Sequence, residues 1–287
     1  MLQMREKERG EMMKVLIVIP TWKRAKILDK IDLALLKQEV DVLWIGDAED
    51  YVFRTGKYIN VDKNFVESLN VGLRYAIRNN YDWVIFFDDD VIPNENYMQN
   101  FIERVEHSDF VCVGGALNSS GNETEKPCIH FDGSTSGKQW MFYPKDMTEV
   151  GCLMGCNWAV RLDVVRKLGI QFDEGLSRVG YRSETDFQMF LKKAGYRIYI
   201  DPKLWVIHLE EKTGSFSAYE DNNYWRGYDH ARFSIRHFGL LRSLIGILFT
   251  NRSSPRPIWQ GIPACIFLKY DFNWYRGYFG YTHKVKL

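Results

Sequence analysis

The sequence lacks the features of a secreted, membrane-spanning or nucleic-acid-binding protein. Its 287 residues carry 38 basic and 37 acidic side chains, and the formal charge of +1 gives no general attraction for nucleic acid or a membrane surface. The first segment, residues 1–13, is too charged for a secretory signal. The chain has five cysteines, an odd number, and we therefore predict reduced thiols and a cytoplasmic location. The apolar run at 240–249 is too short to span a bilayer.

Cysteine spacing also argues against a structural zinc site. Cys152 and Cys156 lie four residues apart, but no second pair of cysteines or histidines is nearby. Structural zinc sites take four ligands, commonly supplied as two such pairs. The pattern therefore favours two small core residues.

Hydrophobic patterning predicts an α/β fold. An apolar share of 46% is ordinary for a globular protein. Short apolar runs alternate with segments of helical period, which indicates right-handed βαβ units and a doubly wound sheet. Strands are predicted over 14–20, 40–45, 58–61, 83–87 and 110–117, with helices over 25–38, 64–79, 95–107, 162–168, 183–194 and 219–238. Two further strands, 196–200 and 204–209, are predicted to pair around Asp201-Pro202.

One predicted strand, 83–87, stops at three consecutive carboxylates, Asp88, Asp89 and Asp90. If strand geometry persists, Asp88 and Asp90 point to one face and Asp89 to the other. Ligands gather where the strands of open α/β sheets end, and a divalent cation would neutralise two repelling carboxylates. A solvated acidic turn before Pro93 is an equal alternative from these residues alone.

Seven motifs follow one another along residues 14–210, each at a predicted strand end or helix start. They are Val15–Arg24, Trp44–Asp47, Asn64–Gly72, Asp88-x-Asp90, Gly155–Asn157, Phe172–Glu174, and Ser183–Phe187 before Gly195–Ile198. Together they resemble glycosyltransferase family 2, the nucleotide-sugar-dependent enzymes of GT-A fold. The resemblance implies a GT-A α/β fold with a doubly wound mixed sheet and a helical C-terminal extension. It also implies inverting, metal-dependent transfer of a sugar from a nucleoside diphosphate to a hydroxyl acceptor.

The resemblance assigns a cation to the acidic triplet. Asp88 and Asp90 are implied to bind it together with His208, which ends a predicted strand. Carboxylate and phosphate oxygens suit Mn²⁺ or Mg²⁺ rather than zinc. A lone histidine is more often structural, but the family places a histidine at this strand end. Asp89 is implied to contact the nucleotide ribose.

The nucleotide is expected at the ends of the first two strands. Pro20 is expected to turn the chain and to place Thr21 near the base or ribose. Lys23 or Arg24 would reach the diphosphate, with a basic surface loop as the alternative. Asp47 resembles the carboxylate that accepts a base N–H, and its alternative is a turn residue.

The chemistry is expected at the predicted helix 183–194. Glu184 falls on the family's catalytic acid position and would act as general base toward the acceptor hydroxyl. Asp186 would bind the acceptor or serve as a first-turn acid favoured by the helix dipole. Gly155, Cys156, Asn157 and Trp158 are implied to line the donor sugar pocket, with a place in the core as the alternative for Trp158.

Partners and domain organisation follow from the same resemblance. We expect a UDP- or GDP-linked donor and a saccharide or lipid-linked acceptor, as in polysaccharide biosynthesis. The extension mixes aromatic and basic residues, which suits a membrane surface or packing against the catalytic domain, and 240–249 would lie at a membrane interface or form a dimer contact. The predicted units are a tail (1–13), a catalytic domain (14–210, with a nucleotide half 14–117 and an acceptor half 118–210) and the extension (211–287).

Two other functions are compatible with parts of the pattern. A nucleotidyltransferase that makes nucleotide sugars also uses a doubly wound sheet with a metal-binding aspartate. It usually has a Gly-rich basic loop after the first strand, where this chain has Pro-Thr-Trp-Lys-Arg (20–24). A noncatalytic nucleotide- or carbohydrate-binding module would tolerate the loss of Glu184.

Overall fold

A computed structural model describes residues 13–48, 51–61, 64–117, 126–129, 135–136, 142–177, 180–209, 222–241 and 243. The helices are α1 (Ala25–Leu36), α2 (Phe65–Arg78), α3 (Tyr97–Val105), α4 (Leu162–Leu168), α5 (Ser183–Lys193) and α6 (Asn222–Phe238). The strands are β1 (Val15–Trp22), β2 (Asp41–Asp47), β3 (Lys57–Asn60), β4 (Trp83–Phe87), β5 (Val91–Pro93), β6 (Cys112–Leu117), β7 (Cys128–Ile129), β8 (Thr135–Ser136), β9 (Thr148–Val150), β10 (Asn157–Arg161) and β11 (Ile198–His208).

Nine of these strands form one mixed sheet. Its order is β3-β2-β1-β4-β10-β6-β11-β5, with β9 added against β11, while β7 and β8 pair separately. The first four strands of this order are parallel. Alternate β1 residues enter two different buried clusters, Val18 on one face and Ile19 on the other. Helices therefore cover both faces of the sheet, which explains why all five β4 residues are buried and apolar.

Local sequence accounts for α2 and its close packing. Asn64 caps the helix by accepting a hydrogen bond from the Glu67 amide at 2.9 Å. Gly72 faces β1, where an added Cβ would stand 2.4 Å from Val18 Cγ1. Glycine at this position lets the helix approach the sheet.

Two prolines behave differently from their predicted roles. The prediction that Pro20 turns the chain was wrong, because β1 continues to Trp22. Pairing of β1 with β4 stops at Val18, so the missing N–H of Pro20 costs no bond on that side. The prediction of two paired strands around Pro202 was also wrong: β11 is one strand whose register against β6 shifts between Asp201 and Val206.

The second half of the sheet brings distant segments to the end of β4. β10 runs antiparallel between β4 and β6, with Asn157 opposite Phe87. β11 pairs with β5, with His208 opposite Val91. Beside the acidic triplet, β4 and β11 therefore end, and β5 and β10 begin.

The helix α6 packs on the segment that precedes α5. Tyr228 Oη donates a hydrogen bond to the Gly175 carbonyl at 3.1 Å, and Arg232 pairs with Asp173. Among the described residues, no helix is both long and apolar enough to cross a bilayer. The predicted tail (1–13), apart from Met13, and most of the apolar run at 240–249 lie outside the described residues.

Candidate active site

The acidic triplet lies where β4 ends. β4 stops at Phe87, and the next three residues leave the strand and turn into β5. Strand geometry does not persist through the three carboxylates, so the condition for the predicted alternation is not met. Asp88 is partly exposed, whereas Asp89 and Asp90 are buried.

Arg24 joins the end of β1 to two of these acids. Its Nη1 lies 2.8 Å from Asp89 Oδ1 and 2.8 Å from Asp90 Oδ2, and the side chain is buried. Asp89 also accepts a hydrogen bond from the Trp22 amide at 3.2 Å. Burial raises the pKa of Asp89 to about 6, although the charge of Arg24 lowers it. Arg24 and Asp89 are therefore paired with each other inside the protein, and their contacts with the diphosphate and the ribose stay predictions.

His208 reaches the triplet from the end of β11. Its Nε2 lies 3.2 Å from Asp90 Oδ1 and 4.0 Å from Asp88 Oδ2. Burial raises the pKa of Asp88 to about 7, and the negative charge of Asp90 acts in the same direction. Burial also acts to raise the pKa of Asp90, but His208 and Arg24 outweigh it and hold that pKa below its usual range. The structure thus brings together the three residues predicted to bind a cation.

A thiol lies in the same group. Cys156 Sγ, a carboxylate oxygen of Asp88 and a ring nitrogen of His208 are all within 4.8 Å of one another. Cys156 is 2% exposed. Burial raises its pKa well above the ordinary value, and the charges of Asp88 and Asp90 add to the effect.

Glu184 lies on the first turn of α5, near the same thiol. Its negative charge is among those that raise the pKa of Cys156. An added Cβ on Gly155 would stand 3.4 Å from Glu184 Oε2, and Thr185 Oγ1 donates a hydrogen bond to Glu184 Oε1 at 2.9 Å. Burial raises the pKa of Glu184, so this carboxylate takes up a proton more readily than an exposed one.

The ends of β1 and β2 form the neighbouring part of the site. Trp22 pairs with Asp47 in the parallel ladder, and Lys23 Nζ lies 3.6 Å from Asp47 Oδ2. The Lys23 side chain is 63% exposed and that of Asp47 is 34% exposed, so both are open to a ligand. Thr21 is buried within β1.

Comparison with known proteins identifies the family. The sequence model described as glycosyl transferase family 2 matches residues 16–169, more than half of the chain. The chain belongs to glycosyltransferase family 2. No curated protein sequence matches it.

Solved structures share the fold of this family 2 glycosyltransferase. GalNAc-T7 with UDP, GalNAc and Mn²⁺ aligns at TM-score 0.61 and 12% identity, over 79% of this chain and 48% of that one. S. aureus TarS 1-349 in complex with UDP-GlcNAc aligns at 0.56 and 15%, over 88% and 79%. The mannosyltransferase PcManGT from Pyrobaculum calidifontis, in complex with GDP-Man and Mn²⁺, aligns at 0.54 and 12%, over 95% and 85%. This chain spans about half the length of GalNAc-T7. The GT-A fold predicted from the sequence is confirmed.

In this glycosyltransferase Asp186 lies in a buried ionic cluster between α5 and α6. Its carboxylate is 2.9 Å from Arg236 Nη1 and 2.8 Å from His237 Nε2. Arg236 Nη1 also lies 3.0 Å from Asp173 Oδ2, and Arg232 Nε lies 2.6 Å from the same oxygen. The Asp186 side chain is 1% exposed. It therefore joins two helices from the first turn of α5, which agrees with the alternative of a first-turn acid. Its burial in this cluster does not favour the other alternative, contact with an acceptor.

Two residues predicted to line the donor pocket are instead part of the interior. Asn157 accepts a hydrogen bond from Tyr97 Oη at 2.7 Å and donates one to the Leu204 carbonyl at 2.8 Å. Trp158 stacks on Phe86 with ring centroids 4.9 Å apart. Both are 1% exposed, which agrees with the core alternative for Trp158. Both residues belong to β10, which begins directly after Cys156.

Sequence reasoning missed the contacts that cross the fold. Arg24 bonds to an acid 65 positions away, and Asp186 to an arginine 50 positions away. Cys156 was interpreted as a small core residue from its spacing to Cys152 and, through the resemblance, as part of the donor sugar pocket, but not as a possible metal ligand. Its position directly before a buried strand was the available signal, because residues at strand ends line the site in this fold.

Proposed function

We propose that this family 2 glycosyltransferase transfers a sugar from a nucleoside diphosphate sugar to a hydroxyl group, with inversion at the sugar carbon. The convergence of Asp88, Asp90 and His208 at one end of the sheet, with Glu184 beside Gly155, is the observation that carries the proposal. The ligands in the GalNAc-T7 and PcManGT structures support a UDP- or GDP-linked donor and a divalent cation.

The residues present fit a divalent cation. Asp90 Oδ1 is buried without a well-aligned hydrogen bond, and His208 Nε2 lies 3.2 Å from it. Two carboxylates and an imidazole are suitable ligands for Mn²⁺, with Mg²⁺ favouring the oxygens. Asp88, Asp90 and His208 would hold the ion. When bound, the cation supplies positive charge that stabilises the negative charge developing on the diphosphate.

Glu184 is proposed as the general base. As the acceptor oxygen bonds to the sugar carbon, Glu184 takes the proton of that hydroxyl, and the bond between sugar and diphosphate breaks with its electron pair leaving on the diphosphate. Burial raises the pKa of Glu184, which makes its carboxylate a stronger proton acceptor.

Binding of the nucleotide is proposed at the ends of β1 and β2. Asp47 offers an exposed carboxylate for a base N–H, and Lys23, 3.6 Å from Asp47, offers a cation for the diphosphate. These two residues keep the roles expected from the sequence. Thr21, Asp89 and Arg24 are buried next to this part of the site.

The acceptor is proposed to be a saccharide or a lipid-linked saccharide. We also propose that the catalytic unit extends past position 210 to include α6. The support is the buried ionic contact of Arg232 and Arg236 with Asp173 and of Arg236 with Asp186, which is the arrangement of one core rather than of two domains joined by a linker.

A donor screen tests the proposal. Purified protein is heated with each of a panel of nucleoside diphosphate sugars, with Mn²⁺ or Mg²⁺ and without metal. A donor present at 100 times its Kd should stabilise the protein by about 2.7 kcal/mol, because a ligand that binds only the folded state shifts unfolding. The shift should require the metal. If no donor binds or is hydrolysed with either ion, the proposal fails.

A further inference from the structure

Cys156 gives the cation site a sulfur ligand that neither the acidic triplet nor His208 provides. Its Sγ lies within 4.8 Å of both a carboxylate oxygen of Asp88 and a ring nitrogen of His208. The side chain is 2% exposed. A carboxylate, a thiol and an imidazole from three different segments thus surround one point.

The backbone fixes this arrangement. β10 runs antiparallel to β4 with Asn157 opposite Phe87, so continuing the register by one residue places Cys156 beside Asp88. His208 is held opposite Val91 by the pairing of β11 with β5. Strand pairing therefore brings the three residues to the same end of the sheet.

A second observation points to an ion at this place. Asp90 Oδ1 is buried without a well-aligned hydrogen bond, and it lies 3.2 Å from His208 Nε2. Asp90 Oδ1 thus offers a further carboxylate oxygen next to the imidazole of this group. One thiol, one imidazole and two carboxylates together match the four-coordinate ligand sets that hold zinc.

Hard and softer metal ions differ in whether they bind a thiol. Mg²⁺ and Mn²⁺ prefer oxygen ligands and leave a protonated thiol alone, whereas Zn²⁺ and Co²⁺ bind thiolate and displace its proton. Zinc bonds of about 2.0 to 2.3 Å in a tetrahedron place ligand atoms roughly 3.3 to 3.6 Å apart. The three atoms, now within 4.8 Å of one another, need only a modest approach to reach those distances.

We propose that Cys156, with Asp88 and His208, makes this site bind Zn²⁺ or Co²⁺ as a tetrahedral ion that displaces the catalytic cation and inhibits the enzyme. The inhibition rests on the proposed function, since it requires that the catalytic ion occupy the same residues. Binding of the softer ion through sulfur does not require turnover. An experiment can therefore contradict the sulfur-ligated metal site without contradicting the proposed glycosyl transfer, and the reverse.

Cobalt spectroscopy of the full chain tests the sulfur ligand. Co²⁺ is added to the wild-type protein, to Cys156→Ser and to Cys152→Ser, whose cysteine is equally buried but outside the group. Wild type and Cys152→Ser should show a near-ultraviolet sulfur-to-cobalt band and the intense visible bands of four-coordinate cobalt. Cys156→Ser should lose the sulfur band. Retention of that band in Cys156→Ser overturns the proposal.

The affinities of the site for Zn²⁺ and for Mn²⁺ test the same sulfur ligand quantitatively. Competition titrations should show Zn²⁺ affinity falling roughly tenfold or more in Cys156→Ser, because even a supporting residue of a metal site is worth that much. Mn²⁺ affinity should change by less than about threefold, since Mn²⁺ leaves sulfur unbound. Equal losses for the two ions contradict a selective role of the thiol.

X-ray absorption of the wild-type protein with Zn²⁺ needs no variant and therefore does not depend on the folding of one. The proposal predicts one sulfur neighbour at about 2.3 Å together with nitrogen and oxygen neighbours. A first shell of nitrogen and oxygen alone overturns it. If the sulfur neighbour is present and yet no nucleotide sugar is ever turned over, the zinc site stands and the proposed function fails.

Discussion

Replacing Arg236 with methionine tests whether α6 holds the catalytic helix in place. The Arg236 guanidinium lies 2.9 Å from Asp186 and 3.0 Å from Asp173. Asp186 is two residues from Glu184 on the first turn of α5. Methionine keeps much of the apolar stem and removes the charge. Each carboxylate then has one cationic partner fewer.

The size of the effect follows from burial. The side chains of Asp173 and Asp186 are 8% and 1% exposed, so water cannot replace the lost partner. Removing one member of a buried ion pair costs about 3 to 5 kcal/mol. Because Asp173 keeps Arg232 as a cationic partner and Asp186 keeps its hydrogen bond with the His237 ring, we expect the low end, about 3 kcal/mol. A typical domain has about 5 to 15 kcal/mol of stability, so the variant should still fold.

Urea unfolding followed by circular dichroism measures the change in the free energy of unfolding. Arg226→Met is the matched control, because Arg226 is exposed on the same helix and its contact with the Tyr181 ring, at 5.5 Å, is worth about 0.5 to 1 kcal/mol. Turnover of Arg236→Met should also fall by roughly tenfold or more, since small displacements of a catalytic group are costly. Equal stability of the two variants would refute the reasoning.

Three further predictions concern the sheet and the site. Gly72→Ala should destabilise the protein by about 1 to 3 kcal/mol in thermal or urea unfolding, because the new Cβ meets Val18 at 2.4 Å; a gain of stability would contradict the packing. With saturating metal, kcat/KM should fall as the pH drops through a value above the ordinary glutamate pKa of about 4.3, because burial raises the pKa of Glu184 and the base must be deprotonated; a profile flat down to about pH 4.3 would contradict this. Asp90→Asn should weaken metal-dependent donor binding by roughly 10- to 100-fold in calorimetry, with the exposed Asp163→Asn as control, and unchanged binding would make the triplet a turn.

Much of the fold could be predicted because burial leaves a local mark on the sequence. The strand 83–87 has the predicted bounds, since a fully buried parallel strand is a continuous apolar run ended by polar residues. The helix 65–78 starts after its cap Asn64, as its side-chain chemistry requires. The predicted ends of strands at Pro20 and Pro202 were wrong, because β1 and β11 continue through them. Whether a missing N–H interrupts a strand depends on which strand lies beside it, and that is a property of the assembled sheet.

Part of the candidate site could also be predicted from the sequence, and part could not. Asp88, Asp90 and His208 follow apolar strands, so the rule that ligands gather at strand ends places them together. The partners of Arg24 and of Asp186 are fixed only when distant segments pack, and no spacing in the sequence encodes them. Buried ion pairs of this kind carry no local period, unlike the apolar faces of helices and strands.

Turnover by Glu184→Gln, compared with wild type on the same nucleotide sugar and metal, tests the central claim most directly. Glutamine keeps the size of the side chain and cannot accept the proton. Turnover should therefore fall about 10²- to 10⁴-fold, while donor affinity measured by calorimetry stays within about threefold. Turnover equal to that of wild type would contradict the assignment of Glu184 as the base.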